Sequence, residues 1–361
     1  MKTVLLVSLF LCFISSAFSG IAWTKTTSAT TKTGVASTSL GSVAYFAGGS
    51  DGNYLNTVET YNVATGTWGK EKNLTIARWY ITAVSIQYGS TSMALFGGGG
   101  YYANNNNIDA RRVDTYNATS KTWVSADSLT LARHNLGGGS NGPLAFFAGG
   151  ILQGVTTRSN RVDIFNATTR TWKTAALSAA RDSVKIAGAG AVTLFAGGWK
   201  DDFTLSNVVD VYDRTANKWT TTTMSPARSL FSAVGSGPYV YLAGGLTTTT
   251  FSNVVNVFNV NSRAWSSMSL SAPRYQLAGV TLPSPSGNLL MFVGKTFTDC
   301  GKIDVYNTTS RLWSTTTLSV TRNNELVATA PVYNGKGVGL FGWGDVCNTN
   351  TLTKDFEIAK I

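Results

Sequence analysis

Six arginines recur at one place in a repeating pattern, and they are the residues best suited to chemistry. Arg78, Arg133, Arg181, Arg228, Arg274 and Arg322 each stand nine or ten residues after a tryptophan. A guanidinium recognises carboxylate, sulfate or phosphate through paired N–H donors. Six of them on one surface would suit an acidic ligand. A structural use is equally open. Glu59, Asp114, Asp163, Asp210, Asn256 and Asp304 recur at a fixed place of their own. Basic and acidic groups near one rim could instead pair with each other and cap loop carbonyls.

Other reactive types are sparse. The chain has one histidine, His134, beside Arg133. No CxxC pair, phosphate loop or Ser/His/Asp set is present, so no metal or cofactor is expected. Of three cysteines, Cys12 lies in an N-terminal run with Lys2 ahead of an apolar stretch and Ala17 and Ser19 at cleavage positions. That run reads as a secretory signal over residues 1–19. Its apolar core of about 11 residues is short for a membrane span, which needs about 20, so no membrane insertion is expected. Residues 20–361 then form a single extracellular domain. Cys300 and Cys347 remain as an even pair in an oxidising compartment. Four Asn-x-Thr sequons, at Asn73, Asn117, Asn166 and Asn307, are candidate glycan acceptors, and Asn-x-Thr is also ordinary turn chemistry. Only 13% of residues are charged, and the net charge is +11. That balance serves solubility or weak attraction to acidic glycans. Secretion argues against nucleic acid as a partner.

The elements that must position these residues follow from an internal repeat. Seven segments end in an apolar-apolar-Gly-Gly step or a variant of it, beginning at Phe46, Phe96, Phe147, Phe195, Leu242, Phe292 and Phe341. After each of the first six comes a short alternating strand ending at Tyr61, Tyr116, Phe165, Tyr212, Phe258 or Tyr306. A tryptophan follows each by seven residues: Trp68, Trp123, Trp172, Trp219, Trp265 and Trp313. A constant offset means one turn geometry used repeatedly. The apolar runs before the glycines, such as residues 144–148 and 192–196, suit strands covered on both faces. The repeat tryptophans read as core between sheets. Trp199 and Trp343, near the loops after the glycine steps, are freer to meet a ligand, and Trp79 belongs to the arginine loop.

The glycine doublet, the aromatic and the tryptophan, at a period near 50 residues, resemble the kelch repeat over essentially the whole mature chain. The resemblance implies an all-β, seven-bladed propeller of four-stranded antiparallel blades. The last repeat lacks a tryptophan, while Trp23 stands alone ahead of the first, with Lys32 where other repeats place arginine. The N-terminal strand is therefore expected to complete the C-terminal blade and close the ring. Six blades with loose ends would leave Trp23 and residues 338–344 without a place.

Strand alternation puts the arginine loops and the variable loops after Gly-Gly on one face. Those variable loops hold Tyr54, Tyr101, Tyr102, Trp199, Phe251 and Phe297. In kelch proteins, arginines in matching loops often line a ligand pocket, so the resemblance favours this face. The turn sequons at Asn117, Asn166 and Asn307 fall on the opposite face. Cys300 and Cys347 lie in loops of adjacent blades on the arginine face, so a disulfide is geometrically reasonable. Copper-radical oxidases of galactose-oxidase type have similar blades but need two histidine ligands, and this chain has one. Sialidase-type propellers need Asp-box turns, which are missing here. The expectation is a non-enzymatic extracellular module that binds a protein or a glycan, acidic glycans included. A structural protein of the matrix is the alternative.

Overall fold

The computed structural model describes residues 20–103, 106–109, 111–152, 155–322, 327–347, 349 and 351–361. The expected signal segment lies outside them. All regular structure among the described residues is β, with no helix. The repeats, numbered by their glycine steps, form antiparallel four-stranded sheets. The third is Gly137–Asn141, Leu144–Ala148, Arg161–Asn166 and Thr171–Ala176, paired in that order. The first, second and fourth follow the same order. This architecture is that of a β-propeller.

The spacing of the sequence now has a geometric cause. Each aromatic lies directly opposite the tryptophan seven residues on, across a hairpin of the two outer strands. The pairs include Tyr61↔Trp68, Tyr116↔Trp123, Phe165↔Trp172 and Tyr306↔Trp313. The turn between them is capped by its first residue. Asn166 Oδ1 accepts from the Thr168 amide at 2.9 Å, and Asp213 Oδ1 accepts from Thr215 at 2.9 Å. A side-chain oxygen holding an amide two residues ahead is the Asx turn.

The fifth and sixth repeats share a single strand, Trp265–Leu282, which joins them into one seven-stranded sheet. Its first part pairs with Ser252–Asn259 and its second with Leu289–Lys295. Two separate sheets were expected there. The connecting segment is itself extended, and the pairing of Ser252 with Arg274 carries the ladder through it.

The seventh sheet takes its outermost strand from the other end of the chain. Ala22–Thr27 pairs antiparallel with Asp355–Lys360, placing Trp23 opposite Ala359. This pairing explains the missing tryptophan of the last repeat. Trp23 packs on Phe341, ring centres 6.1 Å apart.

Packing lies between consecutive sheets, and each apolar cluster takes one repeat tryptophan. Ala145 and Phe147 join the second repeat through Val84 and Leu95, with Trp172 alongside. Val280 and Met291 of the sixth repeat meet Phe341 and Ala359, with Trp23 alongside. Ala44, Phe46 and Tyr61 of the first repeat meet Leu340, Trp343 and Phe356 of the seventh, with Trp68 alongside. Innermost strands also touch in order, and Val327–Thr329 of the seventh touches both Ala36–Leu40 and Trp265–Leu282. The indole N–H groups of Trp68 and Trp265 donate to Thr26 and Thr222 on neighbouring outer strands, at 2.9 and 3.1 Å.

Two outcomes are expected from this packing. Trp23→Ala should cost about 2 kcal/mol in urea denaturation, below the figure for a fully buried tryptophan because the ring is only partly covered. Burial raises the Tyr45 and Tyr241 hydroxyls, Tyr241 from its ordinary 10.0 to about 12. The folded chain holds these protons to higher pH than the unfolded chain does. Their contribution is therefore complete below about pH 10 and is lost as pH climbs through the folded values. The urea midpoint should keep this contribution up to about pH 10 and lose it from there toward about pH 12, and Tyr241→Phe should make that fall smaller.

Candidate functional site

The expected arginine face is built from two kinds of loop that pair with each other. In the first five sheets the residue after Lys32 or the arginine meets the residue after the glycine step: Thr33↔Ser50, Trp79↔Gly100, His134↔Ile151, Asp182↔Trp199 and Ser229↔Leu246. In the sixth Tyr275 meets Lys295, the last residue of the step, and in the seventh Arg322 meets Val346. Both loops thus emerge on one side, as strand alternation requires.

The arginines themselves do not reach solvent. Arg78, Arg133, Arg181, Arg228 and Arg274 are fully buried, and Arg322 is 1% exposed. Expected ligand contact therefore gives way to the structural alternative. Each guanidinium reaches into the sheet that its loop leads to. Arg78 Nη2 lies 2.5 Å from Asp114 Oδ2, while its Nη1 donates to the carbonyls of Gly98 and Arg112 at 2.8 and 2.7 Å. Arg133 pairs with Asp163 and Arg181 with Asp210 in the same way. Arg274 Nε lies 3.0 Å from Asp304 and Arg322 Nη1 3.4 Å from Glu357. Lys32 takes the place in the first sheet, 2.9 Å from Glu59. In the fifth sheet Arg228 donates to the amide oxygen of Asn256, whose own nitrogen donates to the Ser225 carbonyl at 3.1 Å.

The acids also hold the preceding loop. Asp163 Oδ1 accepts from the Thr130 amide at 3.0 Å, Asp210 Oδ1 from Ser178 at 2.9 Å and Asp304 Oδ1 from Ser271 at 2.8 Å. Glu357 does this with both oxygens, from Ser319 and Val320. Sequence reasoning missed Glu357, because no recurring tryptophan follows it to mark its register.

The arginine main chain looks back toward the previous sheet. The second glycine of each doublet donates to it: Gly49 to Arg78 O at 3.0 Å, Gly150 to Arg181 O at 2.9 Å, Gly245 to Arg274 O at 2.7 Å. A Cβ on Gly48 would sit 2.5 Å from that Arg78 carbonyl, and Gly48 and Gly49 both have positive φ, 66° and 90°. Only glycine satisfies both demands.

Desolvation pushes Arg78, Arg133, Arg181, Arg228 and Arg322 below the ordinary arginine range, Arg133 and Arg228 to about 10. They stay cationic at neutral pH, and a buried cation stripped of its partner is severely unfavourable. Trp343 is also corrected. Its place near an irregular loop reads as freer to meet a ligand, but the side chain is fully buried, its indole N–H donating to Thr30 O at 3.0 Å.

Open to solvent on this face are aromatics of the irregular loops. Phe251 stacks on Tyr275 at 4.0 Å and on Phe297 at 4.2 Å, and Phe297 is 74% exposed. Trp79 stacks on Tyr80 at 4.2 Å and Tyr80 is 37% exposed. Arg158 covers Phe203, which is 66% exposed, at 4.5 Å. Trp199 is half-buried, bridged to Leu205. The side chains of Tyr101 and Tyr102 lie outside the described residues. Cys300 and Cys347 are bonded to each other with Cα atoms 6.2 Å apart, tying loops of the sixth and seventh repeats. On the opposite side Asn117, Asn166 and Asn307 cap their turns, while Asn73 is exposed beside the outer strand of the first sheet.

A model of the Kelch motif matches residues 32–74, which span Lys32, Gly48-Gly49, Tyr61 and Trp68. A search of curated proteins found no match. Among chains of known structure, the chain is similar to YjhT at 13% identity with a TM-score of 0.58, covering 91% of this chain and 95% of that one. With the repeat and the sheets above, these findings define a β-propeller that carries a Kelch motif over residues 32–74. In all, 798 solved chains match, so the fold is widespread and by itself silent on function.

The tie is tested by stability. Arg133→Met, which leaves Asp163 buried alone, should cost about 3–5 kcal/mol. Arg133→Met with Asp163→Leu should regain most of that loss in urea denaturation.

Proposed function

We propose that this chain is a secreted, seven-bladed, ring-closed kelch propeller that binds an extracellular glycan or protein through the loops on its arginine face. Ring closure is supported by the N-terminal strand beside Asp355–Lys360 and by the apolar cluster shared by the first and seventh repeats. Secretion rests on the N-terminal signal pattern, and the Cys300–Cys347 bond agrees with it.

The observation that carries the binding reading is the set of exposed, stacked rings on the irregular loops. A solvent-facing ring stiffened by a second ring beneath it presents a flat apolar platform of low entropy. Such platforms suit the C–H face of a sugar or the anchor of a protein partner. The recurring arginines and Lys32 of that face are engaged in buried ion pairs or hydrogen bonds. Selectivity then belongs to the loops, which differ between repeats while the scaffold stays constant. We read the protein as a binding module rather than an enzyme for the same reason: its recurring charged groups are used in holding sheets together.

A glycan array and a panel of extracellular matrix proteins test this reading. Phe297→Ala and Phe203→Ala should each weaken the bound partner about ten-fold, with the melting temperature unchanged. Binding that survives both changes, or no binding together with concentration-dependent self-association, would point to the matrix-assembly alternative.

A further inference from the structure

The residue four positions after Lys32, Arg78, Arg133, Arg181, Arg228 or Arg274 occupies one register place on the innermost strands. It pairs with the residue just before the glycine doublet or its equivalent. At this place stand Ala36↔Ala47, Thr82↔Gly97, Gly137↔Ala148, Ser232↔Ala243 and Ala278↔Val293. All five leading residues are small. The fourth sheet breaks the pattern with Lys185↔Ala196.

Lys185 borders an open cavity of about 480 Å³ lined by the innermost strands. Every other repeat also contributes to its wall: Ser37, Tyr80, Gly138, Ser232, Gly279 and Ala328. No Asp or Glu is among the described residues around it. No hydrogen bond or ion pair engages the Lys185 ammonium among the described residues, and burial alone depresses it below the ordinary lysine range. Lys32, by contrast, is buried and has Glu59 at 2.9 Å, whereas Lys185 is only half-buried and opens on the cavity. A partly desolvated ammonium with no acid beside it among the described residues is available to an anion, and the small side chains at the same register leave room for one. The volume falls within the range of small-ligand sites.

We propose that the cavity between the innermost strands binds a small organic carboxylate, its charge met by Lys185 Nζ. The hydroxyls of Ser37, Ser232 and Tyr80 in the same wall favour a ligand that also carries hydroxyl groups. This site is separate from the exposed rings on the loops and stands whether or not they bind a macromolecule.

The test titrates full-length secreted protein with sodium gluconate by isothermal calorimetry, ionic strength held constant with sodium chloride and glucose as the neutral control. Wild type should show saturable gluconate binding and none with glucose. Lys185→Met should weaken gluconate binding about ten-fold or more, while Lys185→Arg should retain it. Lys185→Met should fold at least as well as wild type, because it removes an unpaired charge. If it does not fold, carbon-13 dimethylation of wild-type lysines replaces it. The signal absent from Lys185→Arg must then move with gluconate and stay still with glucose. Glu325 lies outside the described residues and supplies a further control. Gluconate binding should be unchanged in Glu325→Gln. Absence of binding by wild type, equal binding by Lys185→Met, equal binding of glucose, or binding that appears only in Glu325→Gln would overturn the proposal.

Discussion

A buried cation facing a buried acid or amide, once in every repeat, connects each sheet to the segment that precedes it. The cost of drawing a guanidinium out of water is offset only when its donors are met, and here they meet a carboxylate and two main-chain carbonyls. The same residue offers its own carbonyl to the glycine doublet of the sheet before. One arginine therefore touches two sheets, one through its side chain and one through its backbone. The doublet has to be glycine because that backbone passes where a Cβ would lie. Arginine, glycines and acid are parts of one device, and each type is required by the other two.

This device determines what is left for recognition. Charges that recur in the sequence are enclosed, so they cannot discriminate among ligands arriving from solvent. The loops between glycine step and third strand have no such duty. They vary in length and place rings such as Phe203 and Phe297 in solvent. The disulfide between Cys300 and Cys347 crosses two of these loops where the sixth and seventh repeats meet. Regularity supports the stacked sheets, and irregularity supplies their exposed loops.

The seventh repeat departs from the pattern because two chain ends build it. Its acid is Glu357 rather than aspartate, and its outer tryptophan comes from position 23. Trp343 stands where other repeats have the first glycine of the doublet, at φ 49°. The segment opposite it runs through Thr30 and Lys32, and the indole fills the space between the seventh and first sheets.

The sequence alone determined the repeat, the strand order within each sheet and the side on which the loops emerge. A constant offset between Tyr61 and Trp68, and between their counterparts, follows from cross-strand register, and register is local. The meeting of Trp23 with the last repeat was also legible, since two incomplete halves imply a whole. Burial was not legible. Arg133 before a variable loop reads the same whether its guanidinium turns outward or inward, and only the position of Asp163 in the folded sheet decides between them. Trp343 looked free because its loop is irregular, yet a neighbour some three hundred residues away encloses it. The joined strand Trp265–Leu282 and the lone ammonium of Lys185 likewise depend on what other repeats place alongside. Periodicity reports which face a residue takes along its own strand, while solvent access is set by segments distant in sequence, and packing alone brings those together.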